Sequence, residues 1–210
     1  MGGYEDLLTA IQQGSFAETE KLVKSFLTQG RNPSEIIEKG VVEALDIVGK
    51  KFSEGECYIP EMLVAAKASQ KALEIVKPLL AKADLKPKGK IILGTVKGDL
   101  HDIGKNIVGM MLEGAGFQVI DLGYDVPPER FIETVVKENA RILAMSCLLT
   151  TTMISMKNTM EALKAAGIHG KVKVMIGGPP TTEEYAEKID ADFRGKDAYE
   201  AVEQARRFLS

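Results

Sequence analysis

KIILGTV, residues 90–96, runs into the turn KGDLHDIG (97–104) and then into the helical pattern KNIVGMML (105–112); this stretch decides the fold. A short β-rich run, a turn, and an apolar stripe at helical spacing make a strand–turn–helix unit. The unit recurs. FQVIDL (117–122), RILAMSCL (141–148) and KVKVMIG (171–177) are β-rich runs separated by helical patterns. A weaker strand at 190–194 and a closing helix at 198–209 complete five strands and five helices. Alternation of this kind predicts an α/β domain over 89–210, with a parallel sheet covered by helices on both faces. Strand order 2-1-3-4-5 is expected, Rossmann-like or flavodoxin-like.

Upstream the period changes. Apolar residues recur at helical spacing over 4–13, 16–29, 33–53 and 59–83, which predicts a four-helix bundle over 1–88. Gly14, Gly30 and Gly55 stand where helices close, and Asn32-Pro33-Ser34-Glu35 reads as an N-cap, a first-turn proline and a capping-box glutamate. Pro78, Pro87 and a lysine cluster punctuate the chain near ADLKPKGK (83–90), where the linker is placed.

Composition narrows the function classes. The chain of 210 residues is 45% hydrophobic and 27% charged, with 12 basic against 13 acidic residues through Lys88 and 15 against 17 beyond it. Neither half is basic, which argues against nucleic acid and membrane surfaces as partners. No apolar run approaches the ~20 residues of a spanning helix, and MGGYEDLL lacks the regions of a signal peptide, so a cytoplasmic location is expected. Cys57 and Cys147 belong to no CxxC pair and read as small buried residues in a reducing compartment.

In such a sheet ligands bind outside the carboxyl ends of the strands, near the order switch between strands 1 and 3. The loops converging there are 98–104, 146–152 and the Gly177-Gly178-Pro179-Pro180 turn. A flavin phosphate disfavours the two carboxylates of GDLHDIG. A dinucleotide wants GxGxxG, and a phospho-acceptor receiver wants an aspartate where Ser146-Cys147-Leu148 stands. His101, one of only two histidines, cannot assemble a zinc or iron site alone. A metal brought by a large cofactor, with one protein ligand, fits better. Asp99 would then bond one imidazole nitrogen and orient the other. Asp102 reads as a solvated or capping acid, and His169 as a surface residue.

Asp99-x-His101-x-x-Gly104, Ser146-x-Leu148 about 42 residues on, and Gly177-Gly178 together resemble the cobalamin-binding signature. With YIPEMLVAA (58–66), the whole chain is similar to corrinoid proteins of methyltransferase systems and to the cobalamin-binding region of methionine synthase. The resemblance implies a corrinoid (cobalamin, methylcobalamin) whose own base leaves cobalt, with His101 as the lower axial ligand and Asp99 sharing a proton with it. It implies cofactor contacts from the turn Gly98, Asp99, Leu100, His101, Asp102, Ile103 and Gly104. Gly104, Gly177 and Gly178 would admit the nucleotide tail, Ser146 would bond the buried base, and Leu148 and Thr150 would line the corrin. Tyr58, Ile59, Met62 and Leu63 would belong to a helical cap over the upper face, which must move aside during transfer.

The function so implied is a methyl carrier, inactive alone. A substrate-specific methyltransferase loads Co(I); a second methyltransferase unloads methyl-Co(III) to a thiol or pterin; a reductive activase rescues oxidised cobalt. A small subunit of a radical mutase and a cobalamin-dependent sensor are the alternatives. The mutase subunit needs only the second half, and the sensor needs a recognition module that the near-neutral first half does not offer.

Overall fold

The computed structural model describes residues 3–82 and 87–209. The chain divides into two compact units, one of Met1–Pro87 with Met110–Gly116, the other of Lys88–Gly109 with Phe117–Ser210. Residues 83–86 of the expected linker lie outside the described residues.

The first unit packs α1 (Tyr4–Gln12), α2 (Phe16–Thr28), α3 (Pro33–Ile36), α4 (Glu43–Ser53) and α5 (Ile59–Lys82) around Leu7, Ile11, Phe26, Leu45 and Met62, all buried. The helices begin and end close to where the periodicity puts them, with one difference. The predicted helix over 33–53 is interrupted by a π-helical segment, Ile37–Val42. Its buried residues come in pairs, Ile36 and Ile37, Gly40 and Val41, Ala44 and Leu45, Val48 and Gly49. A four-residue repeat outruns the 3.6-residue α turn, and the wider i→i+5 turn takes up the drift so that the stripe stays on one face. At its start Asn32 accepts from the Ser34 N–H at 2.9 Å, whereas Glu35 pairs forward with Lys39 at 3.0 Å and closes no capping box. Pro78 does not end α5, which continues to Lys82; a proline costs the helix one N–H donor and bends it without necessarily stopping it.

The second unit is a five-stranded parallel sheet in the order β2-β1-β3-β4-β5, as expected. The strands are β1 (Lys90–Thr95), β2 (Gln118–Asp121), β3 (Ile142–Ser146), β4 (Lys173–Gly177) and β5 (Phe193–Gly195). Between and after them in the chain run α6 (Ile103–Gly114), whose residues from Met110 on are counted with the first unit, α7 (Pro128–Glu138), α8 (Met153–Ala165), α9 (Glu183–Ile189) and α10 (Ala198–Leu209). One sheet face buries Ile92, Leu143, Val174 and Ile176 against Phe131 of α7, Met156 and Leu163 of α8 and Ile189 of α9. Period-2 alternation sends the neighbouring residues to the other face. There the register aligns Thr95, Ser146, Gly177 and Gly195 in one row at the carboxyl ends of four strands. Every member of that row is small, while the next row inward holds Leu93, Ala144, Met175 and Phe193.

Candidate functional site

Two of the three loops named from the sequence, 98–104 and 146–152, meet at Asp99, whose side chain is wholly buried. Its Oδ1 accepts from the His101 backbone N–H at 3.0 Å and lies 2.7 Å from His101 Nδ1. Its Oδ2 accepts from the N–H of Leu148 at 2.7 Å, the N–H of Leu149 at 3.3 Å and the Thr152 hydroxyl at 2.8 Å. The loop after β1 is thereby tied to the loop after β3. Burial alone would push this carboxyl up, but the donors from Leu148, His101 and Thr152 outweigh it and hold Asp99 well below the usual carboxylate range. It stays ionised, an acceptor only.

An ionised Asp99 fixes the imidazole. Nδ1–H donates to Asp99, so Nε2 carries the lone pair. His101 keeps 51% of its side chain exposed while Asp99 keeps 0%, and Nε2 engages no other described residue. The loops that hold this pair carry exposed apolar residues. Leu100 and Ile103 beside His101, Leu148 and Leu149 beside the Asp99 contacts, and Tyr124 after β2 are all exposed. Among the described residues no group of three or more His, Cys, Asp or Glu could hold a metal ion. The donor set is one imidazole on an apolar apron, which suits a metal that arrives with its other ligands.

The row behind the loops fits an elongated tail. A Cβ built on Gly104, at the start of α6, would meet nothing within 4 Å, and one on Gly177 would meet only the Gly195 carbonyl at 3.5 Å. The hydroxyl of half-buried Ser146 bonds no described residue, so it is free to take a partner. Gly178 is different. Its φ is +117°, and a Cβ there would lie 1.8 Å from the Cys147 carbonyl oxygen, so this glycine is required by the backbone of the chain itself. Glycine at 178 thus has a reason in the chain itself besides the tail expected there, while a Cβ at Gly104 would meet open space and one at Gly177 only an ordinary contact.

Other expected residues fall as follows. Gly98, at φ +86°, forms the turn before Asp99, and Thr150 is exposed at the start of a 3-10 turn (Thr150–Thr152). Asp102 takes a hydrogen bond from Asn106 Nδ2 at 3.1 Å and serves the start of α6. In the helical unit Met62 is buried, Leu63 half-buried, and Tyr58 and Ile59 exposed. His169 is partly exposed, 3.3 Å from Asp190. Both cysteines are free and buried; burial and then the charge of Asp99 push the Cys147 thiol up to about 11, which keeps it protonated and inert. The sequence reading missed Thr152 as an Asp99 partner. Its only signal is the hydroxyl-rich TTT at 150–152 following β3.

The chain matches the B12 binding domain family over residues 89–203, and a second family of the same description over residues 4–77. It is 40% identical over 207 residues to trimethylamine corrinoid protein 1 of Methanosarcina acetivorans, covering 98% of this chain and 94% of that one. A crystal structure of a cobalamin-binding protein from Desulfitobacterium hafniense superposes with a TM-score of 0.84 at 32% identity, covering 100% of both chains. The methanol:cobalamin methyltransferase complex of Methanosarcina barkeri matches with a TM-score of 0.86 at 28% identity, over 98% of this chain and 79% of that one. With Asp99, His101, Ser146 and Gly177 gathered at one sheet edge and both halves matched, the chain belongs to the family of B12-binding corrinoid proteins.

Proposed function

We propose that the chain is the methyl carrier of a multi-component methyltransferase system, with His101 as the axial protein ligand of its corrinoid. One observation supports this most: a lone imidazole, bonded through Nδ1 to a buried ionised carboxylate at 2.7 Å, presents Nε2 to an exposed apolar surface. When bound, the corrinoid supplies methyl transfer at its cobalt.

The residues of the chain do the rest. Asp99 holds the proton on Nδ1 of His101 and makes Nε2 a better donor to a metal. Thr152 and the N–H groups of Leu148 and Leu149 keep Asp99 in place. Leu100, Ile103, Leu148 and Leu149 give a flat apolar ligand a surface to cover, which removes water from around the imidazole. Ser146, Gly104 and Gly177 are the residues that would hold the nucleotide tail.

No described helix is long and apolar enough to cross a membrane. A substrate-specific methyltransferase, a second methyltransferase that delivers to a thiol or pterin, and a reductive activase are the partners of this reading, in the cytoplasm. A labelled methyl donor given to the reduced holoprotein tests it. About one label per corrinoid should appear when the cognate methyltransferase is added and none without it. An extracted cofactor carrying adenosyl in place of methyl would overturn the carrier reading in favour of a mutase subunit or sensor.

A further inference from the structure

We infer that Asp125, in the loop after β2, is a positioning residue for the Asp99–His101 pair. The inference rests on the proposed role of His101 and deepens it.

Asp125 grips the backbone at Gly98 and at the Asp99 carbonyl. Its side-chain Oδ1 accepts from the Gly98 N–H at 2.8 Å, and its own N–H donates to the Asp99 carbonyl at 3.0 Å. The Asp99 N–H in turn donates to the Val96 carbonyl at 3.1 Å. The backbone of Asp99 is thus held from two directions, by the end of β1 and by Asp125. Its side chain can reach His101 on one oxygen and Leu148, Leu149 and Thr152 on the other only while that backbone stays in place.

The loop after β2 is built to deliver this grip. Val126 pairs with Val96 and its N–H bonds the Thr95 carbonyl at 3.0 Å, which extends the β1–β2 pairing past the strand ends. Asp125 itself sits at φ +54°, one of three described non-glycine residues in the left-handed region. The other two, Asn139 and Asp190, are C-caps of α7 and α9, where that conformation ends a helix. Asp125 ends no helix. Its conformation turns the carboxylate back toward Gly98, and aspartate and asparagine tolerate it better than most residues. Among the described residues its carboxylate bonds the Gly98 N–H and neither His101 nor the Asp99 side chain, so its hydrogen-bonded route to the imidazole runs through the Gly98–Asp99 backbone.

The test compares Asp125→Ala, Asp125→Asn and Asp125→Gly, each loaded with cobalamin at one fixed pH. The readout is the ratio of histidine-ligated to unligated cobalt in the protein-bound fraction, taken from the visible spectrum. Thermal midpoints of the cofactor-free proteins report folding separately. Asp125→Ala should lower the ratio about fivefold, the scale of one hydrogen bond's net contribution. Asp125→Asn, which keeps the acceptor and the left-handed preference, should stay near wild type. Asp125→Gly, which relieves the backbone and lacks the acceptor, should behave like Asp125→Ala.

An unchanged ratio in Asp125→Ala overturns the inference. So does recovery in Asp125→Gly, which assigns the effect to backbone strain, and so does a loss in Asp125→Asn equal to that in Asp125→Ala, which assigns it to charge. A wild-type protein showing no histidine ligation would instead sink the parent reading of His101, and this inference with it.

Discussion

The loop after β1 and the turn after β4 solve different problems with opposite means. Residues 98–104 carry the chemistry, and side-chain hydrogen bonds hold them: Asp99 collects donors from His101, Leu148, Leu149 and Thr152. The turn at Gly177-Gly178 carries no chemical group, and crowding fixes it, with the Cys147 carbonyl filling the space where a Gly178 side chain would go. Thr181 completes that turn, its N–H and hydroxyl both directed at the Gly178 carbonyl at 3.0 and 2.7 Å. A region held by hydrogen bonds should lose function by degrees as bonds are removed. A region held by backbone contact should fail all at once.

The largest effect follows from the crowded turn. Gly178→Val places a branched side chain against a carbonyl oxygen at a φ of +117°. Overpacking of about 1 to 3 kcal/mol adds to backbone strain of similar size, so urea unfolding of the cofactor-free protein should show a loss of about 3 kcal/mol or more. A wild-type midpoint would mean that the turn relaxes and that crowding does not fix it.

Asp99→Asn comes next. Because the carboxyl of Asp99 is held below its unfolded value, its contribution to stability is present above that unfolded value, about pH 3.9, and drains away as the pH falls below it. Wild-type stability should therefore drop on acidification from about pH 5 to pH 3, and the drop should be shallower in Asp99→Asn. Parallel profiles would show that the Asp99 hydrogen bonds are not what holds the loop.

The smallest effect on the fold is the sharpest for the site. Gly104→Ala adds a methyl group where no atom lies within 4 Å, in the first turn of α6. Alanine favours a helix over glycine by up to about 1 kcal/mol, so stability should hold or rise slightly while corrinoid affinity falls. If affinity is unchanged, the tail does not pass Gly104.

The sheet and its order were legible because a strand–turn–helix unit repeats with a change of hydrophobic period at each step. His101 and Asp99 were legible because they sit two residues apart and their types imply a bond. Thr152 was not, since it meets Asp99 across 53 residues of chain and only the register of β1 with β3 brings them together. Asp125 was hidden for the same reason, being 27 residues from Gly98. Gly178 was recognised as a necessary glycine, but its close approach to the Cys147 carbonyl was not legible, because a sequence shows that space is needed and not whether the chain itself occupies it. The π segment at 37–42 was written in the four-residue repeat of buried pairs, a period that a helix template absorbs without notice.

The central claim is that His101 is the axial ligand, and the visible spectrum of His101→Ala loaded with cobalamin tests it most directly. Binding should survive, because Ser146, Gly104 and Gly177 are untouched, and the spectrum should become that of a corrinoid without an imidazole ligand. A spectrum identical to wild type at equal cobalamin content would contradict the claim and leave the Asp99–His101 pair without its proposed role.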